Sequence, residues 1–347
     1  MIKILSVPND IVLAITSRCN LRCKHCMADD GTQDEISLEA AKKLISEFAA
    51  AKVFNVGIFG GEPLYHPAIF DILDEFSRYP IGLSINTNAV CITEDVADRL
   101  MKYRIAPYVV SLDGSCSQVH DALRGNGAFD RAIAGIRRLI ERNKSVLMSA
   151  TVTRFNYKDL APMVKLGKEL GVGQVRFNHL TYVNNAECFE HELFIGSEEM
   201  QEIFTEILEI EKLYGDFVTG TFLGVAKAIR AIDEGNAPEA SECLMVDSCG
   251  AGVVKCGIRP DGEIIPCEVL WNSSCGNVFN TPLVDVWRNS EELKHLRTPL
   301  QLTRNELGEC IDCKYRSICY QGHRCSPYSD SRGKLLAKKY YCLIGNM

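Results

Sequence analysis

The chain has 347 residues, which is long enough for a large core and for more than one domain. Its net charge of -7 argues against a nucleic-acid binder held by a generally basic surface. No apolar run is long enough to span a bilayer, and the N-terminal stretch lacks the small-residue cleavage site of a signal peptide. We therefore expect a cytoplasmic protein that contacts neither nucleic acid nor membrane.

Short apolar runs alternate with amphipathic helix patterns from residue 11 to about 180. IVLAIT at 11–16 predicts a strand, and the stretch that follows Ser37 predicts a helix with that serine as its N-cap. About six such strand–helix repeats end at QVRFNHL, residues 174–180. This alternation predicts a parallel sheet with helices outside it, and functional loops at the carboxyl ends of the strands.

The pattern changes twice in the rest of the chain. Two amphipathic helix patterns between 181 and 242 predict a helical connector. From 243 to 347 short segments and cysteines dominate, and IRPDGEIIPC predicts a hairpin that turns at Asp261 and Gly262. This last region has too little apolar sequence for a core of its own, so we expect bound metal to organise it.

The sixteen cysteines are distributed unevenly. Three lie at 19–26 and ten lie between 243 and 342. In a long chain without an export signal, such groups indicate metal binding or redox chemistry rather than disulfides.

The first group, CNLRCKHC, directly follows the first predicted strand. Its three thiols, Cys19, Cys23 and Cys26, suit either zinc or an iron–sulfur cluster. Zinc needs a fourth ligand, and His25 is poorly placed for that role because it is adjacent to Cys26. A 4Fe–4S cluster held by three cysteines leaves one iron open, and the spacing favours this alternative.

The wider context of this group resembles the radical S-adenosylmethionine (SAM) superfamily. CNLRCKHC matches its CxxxCxxC signature, and GGEP at 60–63, NTNA at 86–89 and SLDG at 111–114 follow successive strands in the family's order. Taken alone, GGEP is more typical of a turn, SLDG of a strand end and Arg124 of a surface charge. Together the motifs cover residues 11 to 180, and the resemblance implies an α/β fold built as a partial (β/α)6 TIM-like barrel.

The resemblance also implies cofactors and site residues. Cys19, Cys23 and Cys26 would hold a catalytic 4Fe–4S cluster, whose open iron takes the amino and carboxylate groups of S-adenosylmethionine. Reductive cleavage of this cofactor gives a 5′-deoxyadenosyl radical that abstracts a substrate hydrogen. The residues implied to bind S-adenosylmethionine are Gly60, Gly61, Glu62, Pro63, Asn88, Ser111, Asp113 and Arg124.

The C-terminal cysteines would generically predict two zinc sites. Their spacing resembles a SPASM domain, a cysteine-rich domain that carries two auxiliary 4Fe–4S clusters in related enzymes. The resemblance assigns the first auxiliary cluster to Cys243, Cys249 and Cys267, and the second to Cys310, Cys313, Cys319 and Cys342. The fourth ligand of the first cluster stays open between Cys325, His323 and an iron left free for substrate, in that order of preference.

Three further residues of this region have two interpretations each. Glu268 follows Cys267 at the position of an acidic base in sulfatase-maturing relatives, and is otherwise a surface glutamate. Cys256 and Cys275 fall outside the SPASM pattern. They are either small buried side chains or a thiol hydrogen-atom donor of the kind that some radical epimerases use.

The leading functional hypothesis is oxidative modification of a peptide or protein side chain, by crosslinking or dehydrogenation. A small-molecule dehydrogenase or epimerase acting on an aminoglycoside or aminocyclitol is the alternative, and a non-catalytic electron carrier or zinc-organised scaffold is a third. Only 18 residues precede Cys19, so we expect no fused leader-recognition domain. The implied partners are a peptide or protein substrate, an external electron donor such as flavodoxin or ferredoxin, and a separate leader-recognition protein.

Overall fold

The computed structural model describes residues 4–236, 250–297 and 315, together with the strands at 243–245 and 301–303. Nine of its strands form one sheet in the order β10-β9-β1-β2-β3-β4-β5-β6-β7, and β8 pairs with β11 in a second sheet. The strands are β1 (Asp10–Thr16), β2 (Asn55–Gly60), β3 (Gly82–Thr87), β4 (Ile105–Ser111), β5 (Val146–Val152), β6 (Gln174–His179), β7 (Val218–Thr219), β8 (Cys243–Met245), β9 (Lys255–Ile258), β10 (Ile264–Ile265) and β11 (Gln301–Thr303).

Helices follow the first six strands, as the alternation predicts. The α-helices of the described residues are α1 (Leu38–Ala50), α2 (Ile69–Phe76), α3 (Glu94–Leu100), α4 (Ser117–Arg124), α5 (Ala128–Glu141), α6 (Leu160–Leu170), α7 (Asn185–Cys188), α8 (Glu190–Leu193), α9 (Ser197–Tyr214), α10 (Thr221–Asp233), α11 (Leu283–Asn289) and α12 (Glu291–Arg297). Neighbouring strands from β1 to β7 are all parallel. In the described residues the two edges of the large sheet do not pair with each other, so the barrel is open.

Local sequence accounts for the ends of these elements. The Ser37 side chain accepts a hydrogen bond from the Ala40 amide and so caps α1. The Asp261–Gly262 turn forms the hairpin between β9 and β10, where Ile258 pairs with Ile264. Gly262 has a φ of +86°, a conformation that a side chain would disfavour.

The two faces of the sheet are covered differently. Ile11, Leu13 and Ile15 of β1 pack with the helices in the main core outside the barrel. Ala14 faces the other way and packs in a small inner cluster with Ile265 and Trp271. Because side chains alternate along a strand, the same alternation separates outer from inner residues in the other strands.

The sheet extends beyond the six predicted strands. β7 arises inside the predicted connector and pairs in parallel with β6. At the other edge β9 pairs in parallel with β1, although more than 230 residues separate them, with Ile11 opposite Cys256. The cysteine-rich region is thus joined to the barrel through the strand that leads into CNLRCKHC.

Candidate active site

The three cysteines of CNLRCKHC lie in the loop that follows β1. The Cys26 amide donates to the Cys23 carbonyl (3.2 Å), and the Leu21 amide donates to Cys19 Sγ (3.4 Å). Burial raises the pKa of Cys19 to about 11 and that of Cys26 to about 12, and it raises the pKa of Cys23 as well. Thiolates are stable at such sites only beside a cation, so one buried and two partly buried thiols on one loop fit a bound metal cluster.

The zinc alternative would need His25 as its fourth ligand. The ring of His25 turns toward Asp113 and Arg124, with Nε2 lying 3.3 Å from Asp113 Oδ2. Burial lowers the pKa of His25 to about 4, so the ring is neutral at physiological pH.

The GGEP turn packs directly against this loop. The Gly61 amide donates to the Thr16 carbonyl (2.7 Å), and the Glu62 amide donates to the Arg18 carbonyl (3.0 Å). A Cβ atom at Gly60 would lie 2.3 Å from the Thr16 oxygen, and one at Gly61 would lie 2.2 Å from the Arg18 oxygen. The close approach that these glycines permit is therefore made to the chain's own backbone, within the three residues before Cys19.

Glu62 and Asn88 connect the turn to the NTNA loop. The buried Glu62 carboxylate accepts from Thr87 Oγ1 (2.7 Å), the Asn88 amide (2.8 Å) and the Leu64 amide (3.1 Å). Burial raises the pKa of Glu62, and these hydrogen bonds oppose that rise. Asn88 Nδ2 donates to Asn20 Oδ1 (2.8 Å) and approaches Cys19 Sγ (3.8 Å), while Pro63 opens a short 3₁₀ turn. Two of the predicted motifs therefore meet at Cys19.

Asp113 of SLDG organises the other side of the cysteine loop. Its fully buried carboxylate pairs with Arg124 Nε and accepts from the Thr151 amide (2.8 Å). Arg124 Nη1 donates in turn to Cys23 Sγ (3.6 Å). Burial alone would raise the pKa of Asp113, but the positive charge of Arg124, with smaller contributions from His25 and His120, lowers it to about 2. Arg124 is thus a charged, oriented donor to a cysteine, and Ser111 ends β4 two residues before Asp113.

Glu268 lies beside Cys267 and is held by a lysine that the sequence analysis missed. Lys255 Nζ lies 3.1 and 3.2 Å from the two carboxylate oxygens, and Cys267 Sγ lies 3.1 Å from Oε2. Burial would raise the pKa of Glu268, but the charge of Lys255 together with hydrogen bonds from the backbone, Cys267 and Lys255 outweighs burial and lowers the pKa. A lone lysine in the apolar run VVKCGI was the only sequence signal for this pair.

Trp271 is a second residue that the sequence analysis missed. It is 1% exposed, its Nε1 donates to Asp30 Oδ2 (2.8 Å), and its ring meets Phe59 edge-on at 6.2 Å. Cys26 packs against the same inner cluster. Trp271 thus joins the cysteine-rich region to the loop that carries the three cysteines.

Cys256 and Cys275 are small buried side chains. Cys256 is fully buried, lies beside Ile11 of β1 and packs in the main core outside the barrel together with Cys275. This placement favours the plain interpretation over a thiol hydrogen-atom donor, which would need to reach the barrel interior.

Most of the predicted auxiliary ligands lie outside the described residues. These are Cys249, Cys310, Cys313, Cys319, Cys325 and Cys342, together with His323. Cys243 is described only as part of β8. Cys267 is the predicted auxiliary ligand whose surroundings the structure describes, and it is buried.

The open parallel barrel and the motifs that meet at its three-cysteine loop define a radical SAM domain. The radical SAM superfamily model matches residues 13–167. The iron–sulfur cluster-binding SPASM model matches residues 249–314, so the chain combines a radical SAM domain with a SPASM domain. Its cofactors are therefore 4Fe–4S clusters and S-adenosylmethionine. These two domains support an enzyme rather than an electron carrier or a zinc scaffold.

Relatives extend over nearly the whole chain. It is 28% identical over 346 residues to the mycofactocin maturase MftC of Mycobacterium tuberculosis, covering 97% of this chain and 80% of that protein. It is 26% identical over 350 residues to the AdoMet-dependent heme synthase of Methanosarcina barkeri, covering 99% and 98%. The crystal structure of Streptococcus suis SuiB bound to precursor peptide SuiA shares the fold, with a TM-score of 0.76, 22% identity and coverage of 97% and 75%.

No helix among the described residues has both the length and the apolar character needed to cross a membrane.

Proposed function

We propose that this protein is a radical SAM oxidoreductase that abstracts a hydrogen atom from a peptide or protein side chain, leading to a crosslink or a dehydrogenation. The observation that supports this most directly is the convergence of GGEP, NTNA and SLDG on one three-cysteine loop. The maturase relative and the SuiB structure with its precursor peptide support a peptide as the substrate class.

Cys19, Cys23 and Cys26 would hold the catalytic 4Fe–4S cluster. When bound, the cluster and S-adenosylmethionine supply a 5′-deoxyadenosyl radical. The protein's part is to position the reacting groups and exclude water. Glu62 fixes the spacing between the GGEP and NTNA loops through its hydrogen bonds from Thr87 and Asn88, and Asn88 extends that connection to Cys19. The remaining residues proposed for S-adenosylmethionine are Gly60, Gly61, Pro63, Ser111, Asp113 and Arg124.

Glu268 would accept a proton from the substrate. Lys255 keeps its carboxylate ionised at neutral pH, so an acceptor oxygen is available without prior deprotonation. Its neighbour Cys267 would be a ligand of the first auxiliary cluster, which places the proton acceptor beside a route for the departing electron. Replacing Glu268 with Gln should remove product formation while S-adenosylmethionine is still cleaved.

The two auxiliary clusters keep the ligand sets that the resemblance assigns. Cys243, Cys249 and Cys267 would hold the first, with Cys325 preferred over His323 or an open iron as the fourth position. Cys310, Cys313, Cys319 and Cys342 would hold the second. After anaerobic reconstitution, an iron content of about 12 atoms per chain would support three 4Fe–4S clusters, whereas a content of about eight atoms would exclude one of the two auxiliary clusters. Zinc in place of iron would contradict the proposal.

The substrate class is tested by isotope transfer. Peptides encoded beside the gene are synthesised with deuterated side chains and incubated with the reduced holoenzyme, S-adenosylmethionine and flavodoxin or ferredoxin as electron donor. A separate leader-recognition protein is added if it is encoded nearby. Deuterium in 5′-deoxyadenosine and a loss of hydrogen mass from the peptide are expected. 5′-Deoxyadenosine that never acquires deuterium from any such peptide would contradict peptide modification.

A porphyrin is the second candidate substrate. The heme synthase relative matches this chain over 98% of its own length, compared with 80% for the maturase. The same isotope assay with a deuterated iron porphyrin separates the two, because only the true substrate transfers its label. The aminoglycoside or aminocyclitol alternative is weakened, because Cys256 packs outside the barrel and this position disfavours it as the thiol hydrogen-atom donor of an epimerase.

A further inference from the structure

The positively charged side chain of Arg176 lies on the inner face of the barrel. In β6, Val175 and Phe177 are fully buried in the main core outside the sheet. Side chains alternate along a strand, so Arg176 and Asn178 project from the opposite face, toward the barrel interior. The hydrogen bond from Asn178 Nδ2 to Ser149 Oγ on β5 (3.1 Å) is made on that inner face.

The strand register aligns Arg176 with Ser111, which is the last residue of β4 and the first residue of SLDG. Ser111 of β4 pairs with Ser149 of β5, Ser149 pairs with Arg176, and Arg176 pairs with Thr219 of β7. Adjacent strands lie about 4.8 Å apart, so the Cα atoms of Ser111 and Arg176 are about 10 Å apart across the row. The Cα atom of Arg176 therefore lies level with that of Ser111, a proposed S-adenosylmethionine residue, and the side chains beside Arg176 in this row carry uncharged hydroxyls.

Arg176 has no hydrogen bond or ion pair with any residue that the structure describes. Two other partly buried guanidiniums have carboxylate partners: Arg124 pairs with Asp113, and Arg259 pairs with Asp261. Burial lowers the pKa of Arg176, and no carboxylate in the described part of the chain offsets that effect. A desolvated charge without a partner is costly, and such a cost is recovered when an anion binds.

We propose that Arg176 binds a carboxylate of the substrate inside the barrel and so selects a substrate that presents an acidic side chain or a C-terminal carboxylate near the radical. This inference rests on the proposed function, because it names a feature of the molecule from which hydrogen is taken. Guanidinium binds carboxylate in a planar, two-pronged geometry, and the hydroxyls of Ser149 and Thr219 can complete the carboxylate's hydrogen bonds.

The test uses two pairs of synthetic probe peptides and the reconstituted holoenzyme. One pair differs in a central Glu or Gln within a blocked glycine pentapeptide, and the other differs in a C-terminal carboxylate or carboxamide. Binding is measured by ligand-observed NMR in the presence of S-adenosylmethionine. We expect the wild type to prefer the carboxylate member of one pair by about tenfold or more, because a hydrogen bond to a charged group contributes that much. The pair that shows the preference identifies the source of the carboxylate.

Arg176→Gln should abolish the preference, and Arg176→Lys should keep part of it. Arg78→Gln is the matched control, because Arg78 is an exposed arginine paired with Glu75 and should leave the preference intact. Iron content and circular dichroism establish that each variant is folded, and Arg176→Lys keeps the test decisive if the glutamine variant does not fold.

Two results would overturn the inference. One is a wild-type enzyme that binds both members of both pairs equally. The other is an Arg176→Gln variant that keeps the peptide preference; if that variant also loses affinity for S-adenosylmethionine in equilibrium dialysis, Arg176 is assigned to the cofactor's carboxylate instead. Failure of the proposed function would give a different result, because the wild-type enzyme would then form no 5′-deoxyadenosine.

Discussion

The indole N–H of Trp271 donates a hydrogen bond to Asp30 and so joins the SPASM domain to the loop that carries the three cysteines. Trp271→Phe removes this donor and leaves Asp30 Oδ2 without it, while Oδ1 still accepts from the Thr32 amide (3.0 Å). A hydrogen bond to a charged acceptor contributes about 1.5–3 kcal/mol, so local opening of this loop should become roughly 10- to 150-fold more frequent.

Trp287→Phe is a matched control for the loss of ring size. Trp287 is also 1% exposed, and its Nε1 donates over the same 2.8 Å, but to the Leu5 carbonyl on the outer side of the fold. A hydrogen bond to a neutral acceptor contributes about 0.5–1.5 kcal/mol. This variant should loosen the N-terminal segment near residue 5 and leave the cysteine loop unchanged.

Hydrogen exchange measured by mass spectrometry on the anaerobic holoprotein separates the two effects. Peptides that span residues 27–34 should exchange faster in Trp271→Phe and at the wild-type rate in Trp287→Phe. Equal exchange of this segment in all three proteins would refute the conclusion that Trp271 joins the domains through Asp30. Equal acceleration in both variants would refute its specificity.

Two further predictions concern packing and pH. Gly61→Ala should destabilise the folded state by about 1–3 kcal/mol in chemical denaturation, because its Cβ would lie 2.2 Å from the Arg18 oxygen. Gly224→Ala, in an open position of α10, is the control and should be neutral or stabilising. Equal effects of the two substitutions would contradict the close packing at Gly61. Burial lowers the pKa of His120 to about 4, so the unfolded state takes up a proton first and stability should fall as the pH drops from about 6.5 to 4. His120→Gln should flatten that slope in denaturation curves and the exposed His191→Gln should not; an unchanged slope in His120→Gln would count against a buried neutral ring.

Local sequence was sufficient to predict the barrel elements and the cysteine loop. The apolar periodicity after Ser37 and the Asp261–Gly262 turn both depend on neighbours a few residues away, and both are confirmed. Four motifs placed after successive strands predict a shared edge of the sheet, because the carboxyl ends of parallel strands meet there. Their convergence needed no knowledge of distant contacts.

Contacts across the chain could not be predicted in this way. Trp271 and Asp30 are 241 residues apart, and nothing in either neighbourhood indicates the other. The pairing of β9 with β1 is also set by tertiary packing, since KCGI offers only a short apolar pattern. Arg176 is different, because one arginine among the alternating apolar residues of QVRFNHL already indicates a charge on the face opposite the core.

The central claim is that Cys19, Cys23 and Cys26 hold the cluster that cleaves S-adenosylmethionine. It is tested most directly by measuring 5′-deoxyadenosine from anaerobically reconstituted enzyme with dithionite and S-adenosylmethionine. Cys23→Ala should abolish its formation, while Cys188→Ala, at an exposed cysteine of α7, should form it at the wild-type rate. Continued formation of 5′-deoxyadenosine by Cys23→Ala would contradict the account.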